Sequence, residues 1–345
     1  MRRYVPANLL DARPHIVVDG APRPGTVCTL SHWPGTPTPE ALRADLSAEI
    51  ALGALARPDL VPDVEAVTID HYDEDGVVAL ALLVVEGLAE AHAALLVEAA
   101  RVGDFGVVRD RHAALVAFAL AALADPERTP VEELRPRRRP ADWLEVCSVA
   151  AAEALRLLPA LAERPEDHAS LWTDEAVAYG ASVAAIAEGS VSIEEHPDVD
   201  LAVVRVVDAV LTRPASPTRW AGRVVHPAAV HSATSCLRVA TISGRRYELR
   251  YRYESWVRLQ SRRPRRRVDL SQLAGELSAA ERSAPGATGA SWAFDGAGAI
   301  TPSLHLGEQD SALDPDRFVD DIVRVLADLD TGPPAWDPYA ASARA

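Results

Sequence analysis

The first hundred residues alternate short apolar segments with longer apolar segments of helical spacing, and this alternation constrains the fold more than any other feature. Three short segments have the length and apolar character of strands: 15–20, 26–35 and 64–70. Between them, residues 38–56 carry apolar side chains at helical spacing, with Thr38 as a predicted N-cap and Pro39 at the first helical position. A strand–helix–strand–helix order predicts parallel βαβ units and therefore the α/β class.

The pattern continues through the next hundred residues with more helix than strand. A strongly apolar helix is predicted from about Val77, weakened at Gly87 and resuming to about Arg101. Further helices are predicted over 111–123, 141–161 and 166–187. The segments SVSIEE (190–195) and VDLAVVRVV (199–207) look like strands, and we expect them to extend the same sheet.

The rhythm changes after residues 212–223, TRPASPTRWAGR, whose Pro, Ser and Thr content predicts a linker. Beyond it the sequence predicts a β-hairpin around Ser243-Gly244, a helix capped by Asp269, and a final amphipathic helix opened by Asp314. We therefore expect a mostly parallel sheet flanked by helices in a first domain, 1–212. A second, smaller α+β domain is expected over 222–330, followed by a loose tail, 331–345.

Composition excludes several classes of function. All 35 basic residues are arginine, so the chain has no lysine for a Schiff base or a phosphate-binding P-loop. The net charge of −15 argues against broad nonspecific binding to nucleic acid or to an anionic membrane. Cys28, Cys147 and Cys236 are far apart and form no CxxC pair, which argues against a disulfide scaffold and favours a reducing cytoplasm. The apolar run 77–85 is about half the length that a membrane span needs.

The stretch DHYDEDG (70–76) is the strongest candidate for a functional site. His71, Asp73 and Asp75 lie immediately after a predicted strand and before an apolar helix. Ligands of open parallel sheets bind at the carboxyl ends of the strands, so this is the expected position for a site. Closely packed carboxylates repel one another, and a divalent cation relieves the repulsion. Carboxylate and imidazole donors together suit Mn²⁺, Mg²⁺ or Zn²⁺.

Two residues outside this stretch are candidate helpers of a metal site. His32, in SHWPG, follows another predicted strand, and it would share an edge with the acidic turn if the two strands are neighbours. Asp104, in VGDFG, is a weaker candidate. An EF-hand is excluded, because Leu82 stands where that motif needs a bidentate glutamate.

The acidic turn also has a purely structural interpretation. A polar turn between a strand and a helix commonly caps the helix, with Asp75 accepting amide hydrogens and Asp73 in solvent. The sequence leaves both interpretations open.

The arginine cluster near residue 260 is the strongest basic feature. It comprises Arg258, Arg262, Arg263, Arg265, Arg266 and Arg267. Guanidinium groups bind phosphate in a bidentate manner, so we expect Arg262, Arg263, Arg265 and Arg266 to contact a phosphorylated substrate. The alternative is a solvated loop that balances an acidic protein.

The segment IDHYDEDGVVALALL (69–83) resembles the first motif of the DHH-type phosphoesterases. That resemblance implies two Mn²⁺ ions, hydrolysis of phosphodiesters or polyphosphate, and His71, Asp73 and Asp75 as ligands. The resemblance also implies Asp104 as an acid of the second motif. No DHH triplet follows; Asp167-His168 is the nearest match and lacks the second histidine.

Four longer segments resemble an uncharacterised bacterial family, a domain of unknown function, and together they would cover most of the chain. They are LSHWPGTPTP, DHYDEDG, HPDVDLAVV and YRYESWVRLQSRRPRRRVDL. This second resemblance implies no established activity.

The sequence therefore predicts a cytoplasmic, divalent-metal-dependent phosphoesterase that uses Mn²⁺ or Mg²⁺. Its substrate would be a phosphorylated small molecule or a short oligonucleotide. The catalytic and metal-binding residues would be His71, Asp73 and Asp75, with His32 and Asp104 as further ligands. The alternative is a non-catalytic ligand- or partner-binding protein that retains a DHH-like architecture, and the plainest interpretation is a scaffold in which the acidic turn only caps a helix.

Overall fold

The computed structural model describes residues 2–208, 210, 221–285, 287, 289–307 and 309–340. The chain forms two compact units. The first contains the residues up to Ala176 together with Val257–Arg263, and the second contains Val177–Trp256 and Pro264–Ala340. The linker predicted at 212–223 lies almost wholly outside the described residues, so the predicted division at that point stays a prediction.

The first unit is built on a four-stranded parallel sheet. Its strands are β1 (Arg3–Tyr4), β2 (His15–Val18), β3 (Thr26–Leu30) and β4 (Ala66–Thr68). They lie in the order β1-β4-β2-β3, and every neighbouring pair is parallel. The predicted parallel sheet is confirmed. Strand β2 separates β3 from β4, however, so the two strands that carry the predicted site residues are not neighbours.

Helices flank this sheet, as the apolar periodicity predicts. They are α1 (Ser47–Ala56), α2 (Glu74–Val84), α3 (Leu88–Phe105), α4 (Arg111–Ala124) and α5 (Trp143–Glu163), followed by α6 (Ala169–Glu188), in which the division between the units falls. Helix α2 is buried from Asp75 to Leu83, as its unbroken apolar run requires. Gly87, with a φ of 74°, separates α2 from α3.

The predicted start of the first helix at Thr38 is wrong, because α1 begins at Ser47. The Thr38 hydroxyl donates instead to the Ser31 carbonyl, at 2.6 Å. Carboxylates further along the chain determine the true start. Glu49 accepts the amides of Asp45 and Leu46, which places the first turn eight residues later than the Thr-Pro signal indicates.

The second unit contains a six-stranded mixed sheet. Its strands are β5 (Val191–His196), β6 (Leu201–Val206), β7 (Arg238–Ser243), β8 (Arg246–Tyr251), β9 (Ala293–Phe294) and β10 (Ser303–His305), in the order β5-β6-β7-β8-β10-β9. Its remaining helices are α7 (Ala221–Val224), α8 (Pro227–Ala233), α9 (Ser271–Ser283) and α10 (Pro315–Leu329). The β7–β8 hairpin and the Asp314 cap of α10 are confirmed. The expectation that 190–207 extends the first sheet is wrong, because these residues form β5 and β6 of the second.

A buried charged network holds the second unit together. Arg238 donates two hydrogen bonds to Asp330, at 2.7 and 2.9 Å, and its side chain is only 1% exposed. The guanidinium groups of Arg238 and Arg267 lie 5.6 and 5.5 Å from the ring centre of Tyr251. The backbone of Arg267 also pairs with that of Trp336, so part of the predicted loose tail is hydrogen-bonded to the unit. Within the described residues, no helix combines the length and the apolar character needed to cross a bilayer.

Candidate metal centre

Polar side chains from three parallel strands meet at one edge of the first sheet. Asp19 follows β2, His32 follows β3 and His71 follows β4. Because β2 lies between the other two strands, Asp19 occupies the middle of this edge. The N-terminus of α2 adds Asp73 and Asp75, and the last turn of α3 adds Asp104.

The backbone at the middle of this edge is constrained. Asp19 is buried and has a φ of 45°, in the left-handed region, which non-glycine residues adopt mainly at turns and functional sites. Gly20 follows it, and a Cβ at that position would lie 2.6 Å from Asp70 Oδ1. A side chain at position 20 would therefore force the Asp70 carboxylate to move, so Gly20 permits the close approach of β2 and the acidic turn.

Four side chains form what we name the deep group: Asp19, His32, Asp75 and Asp104. The His32 Nε2 atom lies 3.4 Å from both Asp19 Oδ1 and Asp104 Oδ2. It also lies 3.9 Å from Asp75 Oδ2. All four side chains are at most 4% exposed. The other ring nitrogen, His32 Nδ1, is 2.6 Å from the Asp45 carbonyl oxygen, which can only accept a hydrogen bond. That bond fixes the proton on Nδ1 and directs Nε2 at the carboxylates, as in metal-binding histidines.

Three side chains form the outer group: Asp19, His71 and Asp73. The His71 Nε2 atom lies 2.7 Å from Asp73 Oδ2 and 3.3 Å from Asp19 Oδ2. Its Nδ1 atom lies 2.9 Å from Asp70 Oδ1, so a carboxylate orients this imidazole as well. The side chains of His71 and Asp73 are 22% and 29% exposed, which makes the outer group accessible where the deep group is not.

Asp19 belongs to both groups through different oxygens. Its Oδ1 faces His32 and accepts a hydrogen bond from Ser47 Oγ at 2.7 Å, while its Oδ2 faces His71. Both Asp19-His32-Asp75 and Asp19-His71-Asp73 place one ligand atom of each residue within 4.8 Å of the others. A carboxylate that directs one oxygen at each group can bridge two metal ions of the kind that lie about 3.5–4 Å apart in two-metal sites.

Two carboxylate oxygens of the deep group have no hydrogen-bond partner among the described residues. They are Asp19 Oδ2 and Asp104 Oδ2, and both atoms are buried. A buried polar atom without a partner costs about 1–3 kcal/mol, so native structures rarely leave one unexplained. Each of these oxygens faces an imidazole nitrogen, His71 Nε2 at 3.3 Å and His32 Nε2 at 3.4 Å, and a bound cation would give each of them a closer partner.

The purely structural interpretation of the acidic turn accounts for two of the aspartates. Asp73 is the N-cap of α2 and accepts the Gly76 amide at 2.8 Å. Asp75 accepts the amides of Ser47 and Ala48, at 2.7 and 2.8 Å, and thereby caps α1, a helix that precedes it in the chain. Capping does not account for Asp19 or Asp104.

The carboxylates of this edge perturb one another's ionisation. Burial and the charge of Asp19 raise the pKa of Asp75 well above its ordinary value. Burial, followed by the charges of Asp75, Asp73 and Asp19, does the same to the pKa of Asp104.

The outer group is perturbed in the opposite sense. Burial opposes the charged form of His71, but the neighbouring carboxylates, Asp73 first, raise its pKa far above the ordinary value. Burial also opposes ionisation of Asp73, but His71 lowers its pKa on balance. Without a cation, the raised pKa values of Asp75 and Asp104 favour their protonated forms, while His71 and Asp73 form an ion pair.

The structure brings all five predicted metal-site residues together: His32, His71, Asp73, Asp75 and Asp104. Their role as ligands stays a prediction. Asp19 was not among the predicted site residues, although an Asp-Gly pair directly after the apolar strand HIVV (15–18) was a usable signal.

The predicted substrate arginines are divided between the two units. Arg262 and Arg263 are exposed residues of the first unit. Arg265 and Arg266 are exposed residues of the second, where Arg265 donates to Asp330 at 2.8 Å. Their contact with a substrate also stays a prediction.

Comparison with known proteins identifies a family but no activity. Residues 1–331 match a protein family described as a family of unknown function, DUF6687, and the chain belongs to that family. No curated protein and no solved structure matches the chain.

Proposed function

We propose that this member of the DUF6687 family is a divalent-metal-dependent phosphoesterase that holds one ion in the deep group and one in the outer group. The observation that carries the proposal is the Asp19 carboxylate, which directs one oxygen at each of two histidine-containing groups. The resemblance of residues 69–83 to the first DHH motif supports the same activity.

The ligand types favour Mn²⁺ or Mg²⁺. Each group offers one imidazole nitrogen and otherwise carboxylate oxygens, a set that suits Mn²⁺ in particular. The three buried cysteines contribute to neither group, so a thiolate-rich zinc site does not arise. Asp70 and the Asp45 carbonyl hold the far nitrogens of the two imidazoles, which is the outer-shell support that metal sites require.

The two groups differ in solvent exposure, and we assign them different roles for that reason. The deep group is closed to solvent, so its side chains would hold a metal ion and fix its position. The outer group is partly exposed, so His71 and Asp73 face the approaching phosphoester. A bound divalent ion would lower the pKa of a coordinated water and stabilise charge on the phosphoryl oxygens. The substrate would be a phosphorylated small molecule or a short oligonucleotide.

Metal content tests the site. Protein purified without chelator should contain two divalent ions per chain by inductively coupled plasma mass spectrometry. Asp19→Asn should reduce the content at both positions, because it weakens the shared ligand. Asp59→Asn is the matched control, since Asp59 is an exposed residue paired only locally with Arg57. Wild-type protein without bound metal after incubation with Mn²⁺ would contradict the proposal.

Turnover tests the activity. A panel of phosphomonoesters, phosphodiesters and short oligonucleotides with Mn²⁺ should include a substrate that the wild type hydrolyses and Asp73→Asn does not. Asparagine still accepts the Gly76 amide, so this variant keeps the N-cap of α2. If two ions bind but no member of the panel is hydrolysed, the result favours the non-catalytic binding protein.

A further inference from the structure

A seven-residue segment from far along the chain holds the backbone that carries His32. We name Val257–Arg263 the strap; it belongs to the first unit, although the residues on both sides of it belong to the second. Its Arg258 amide donates to the His32 carbonyl oxygen at 3.1 Å. The side chains of Val257 and Leu259 are buried, so apolar contacts anchor the strap as well as its backbone hydrogen bonds.

The strap also binds the residue that orients the His32 imidazole. One oxygen of the Asp45 carboxylate accepts the amides of Gln260 and Ser261, at 2.5 and 2.9 Å. The carbonyl oxygen of Asp45 accepts the hydrogen bond from His32 Nδ1 at 2.6 Å, which directs Nε2 at the deep group. The Asp45 amide donates to Glu49 Oε2 at 3.1 Å. Asp45 is therefore held through its amide, its carbonyl oxygen and its carboxylate.

We propose that Asp45 is a positioning residue of the metal centre, whose carboxylate, bound to the strap, fixes the carbonyl oxygen that orients His32. Asp45 belongs to neither the deep group nor the outer group, so it acts only through His32. The proposal rests on the metal site of the proposed function and does not depend on hydrolysis. Groups that orient a metal-binding imidazole typically contribute about 10- to 100-fold to metal affinity.

The chemistry of imidazole explains why this orientation matters. Hydrogen bonds from amides to a carboxylate are charge-assisted and about twice as strong as neutral ones, so their loss removes two strong restraints on the backbone at position 45. A neutral imidazole whose Nδ1 partner is displaced can place its proton on either nitrogen. A proton on Nε2 blocks coordination, because a metal ion needs the lone pair of that atom. Asp45→Ala should therefore weaken the ion of the deep group and spare that of the outer group.

Mn²⁺ binding to the full-length protein, measured by isothermal titration calorimetry, tests the proposal. Asp45→Ala should weaken one of the two ions about 10- to 100-fold and leave the other as in the wild type. Asp45→Asn keeps an acceptor oxygen and should bind both ions as the wild type does. Asp59→Ala is the matched control, because Asp59 is an exposed aspartate of the same unit. Wild-type binding by Asp45→Ala, or an equal loss of both ions, would overturn the proposal.

A double variant shows whether Asp45 acts through His32. His32→Gln removes the imidazole and should lose the ion of the deep group. Adding Asp45→Ala to His32→Gln should then cause no further loss of Mn²⁺, because the two residues act as one unit. A further loss in the double variant would show that Asp45 supports the fold instead, and it would overturn the proposal.

The tautomer of His32 gives a readout that needs no metal. In chelator-treated wild type, heteronuclear NMR of the neutral imidazole should show the proton on Nδ1, with the signal assigned by its loss in His32→Gln. Asp45→Ala should give a mixture of tautomers, and Asp45→Asn should keep the wild-type form. An unchanged tautomer in Asp45→Ala would overturn the proposal. Because this experiment uses metal-free protein, a failure of the phosphoesterase proposal is distinguishable from a failure of this one.

Discussion

Replacing Asp104 by asparagine should stabilise the metal-free protein and abolish its stabilisation by metal. Asp104 Oδ2 is buried without a hydrogen-bond partner among the described residues, and the carboxylate lies close to those of Asp19 and Asp75. Replacing one such buried carboxylate should raise the free energy of unfolding by about 1–3 kcal/mol. For a unit of this size each kcal/mol raises the melting temperature by about 2–4 °C.

The pH dependence of this gain has a definite sign. Burial and the neighbouring carboxylates raise the pKa of Asp104 in the folded protein. An aspartate whose folded pKa is raised costs stability as the pH rises above its unfolded pKa, about 3.9. The advantage of the Asp104→Asn variant should therefore be present at neutral pH and vanish as the pH falls below that value.

When Mn²⁺ is added, the wild type should become more stable than Asp104→Asn. An ion at about 100 times its Kd stabilises the folded wild type by about 2.7 kcal/mol, and a variant that lacks a ligand loses most of this. The assay is chemical unfolding of both proteins with chelator and with Mn²⁺, using Asp59→Asn as the control. If Asp104→Asn lowers the free energy of unfolding of the chelator-treated protein, Asp104 is a structural residue and the reasoning is refuted.

Three other outcomes are expected. Asp330→Asn should lower the free energy of unfolding, measured by denaturant titration, by about 3–5 kcal/mol, because it leaves the buried Arg238 charge without its partner. The control Asp310→Asn removes one partner of an exposed ion pair and should stay within about 1 kcal/mol of the wild type. Gly20→Ala should lower the Mn²⁺ content measured by mass spectrometry, because the new Cβ would lie 2.6 Å from Asp70 Oδ1, and a wild-type content would contradict the close approach. Chelator should remove the ion of the outer group faster than that of the deep group; a single release phase would show that the two groups do not differ in access.

The sequence by itself determined most of the elements and the position of the candidate site. Apolar periodicity is a local property, so it predicted strands β2 to β4, helices α2 to α5, the β7–β8 hairpin and the final helix, but not β1 or the start of α1. The clustering of His71, Asp73 and Asp75 after a strand was equally local. It indicated a cation-binding edge from charge repulsion alone.

Strand order was decided only by the tertiary structure. The order β1-β4-β2-β3 depends on pairing between distant segments, and it places Asp19 between His32 and His71. In the sequence alone, nothing distinguishes Asp19 from other aspartates that follow apolar segments. The same long-range pairing assigned residues 190–207 to the second sheet.

Helix capping across the chain was decided by the tertiary structure as well. Asp75 caps α1, a helix that begins 28 residues before it, and this contact helps to fix the helix start that the Thr38-Pro39 signal placed wrongly. Likewise, Asp45 accepts the amides of Gln260 and Ser261, which lie more than two hundred residues further along the chain. Local sequence specifies what each segment can form, but the hydrogen bonds that satisfy buried carboxylates and amides come from whichever segments the fold brings together.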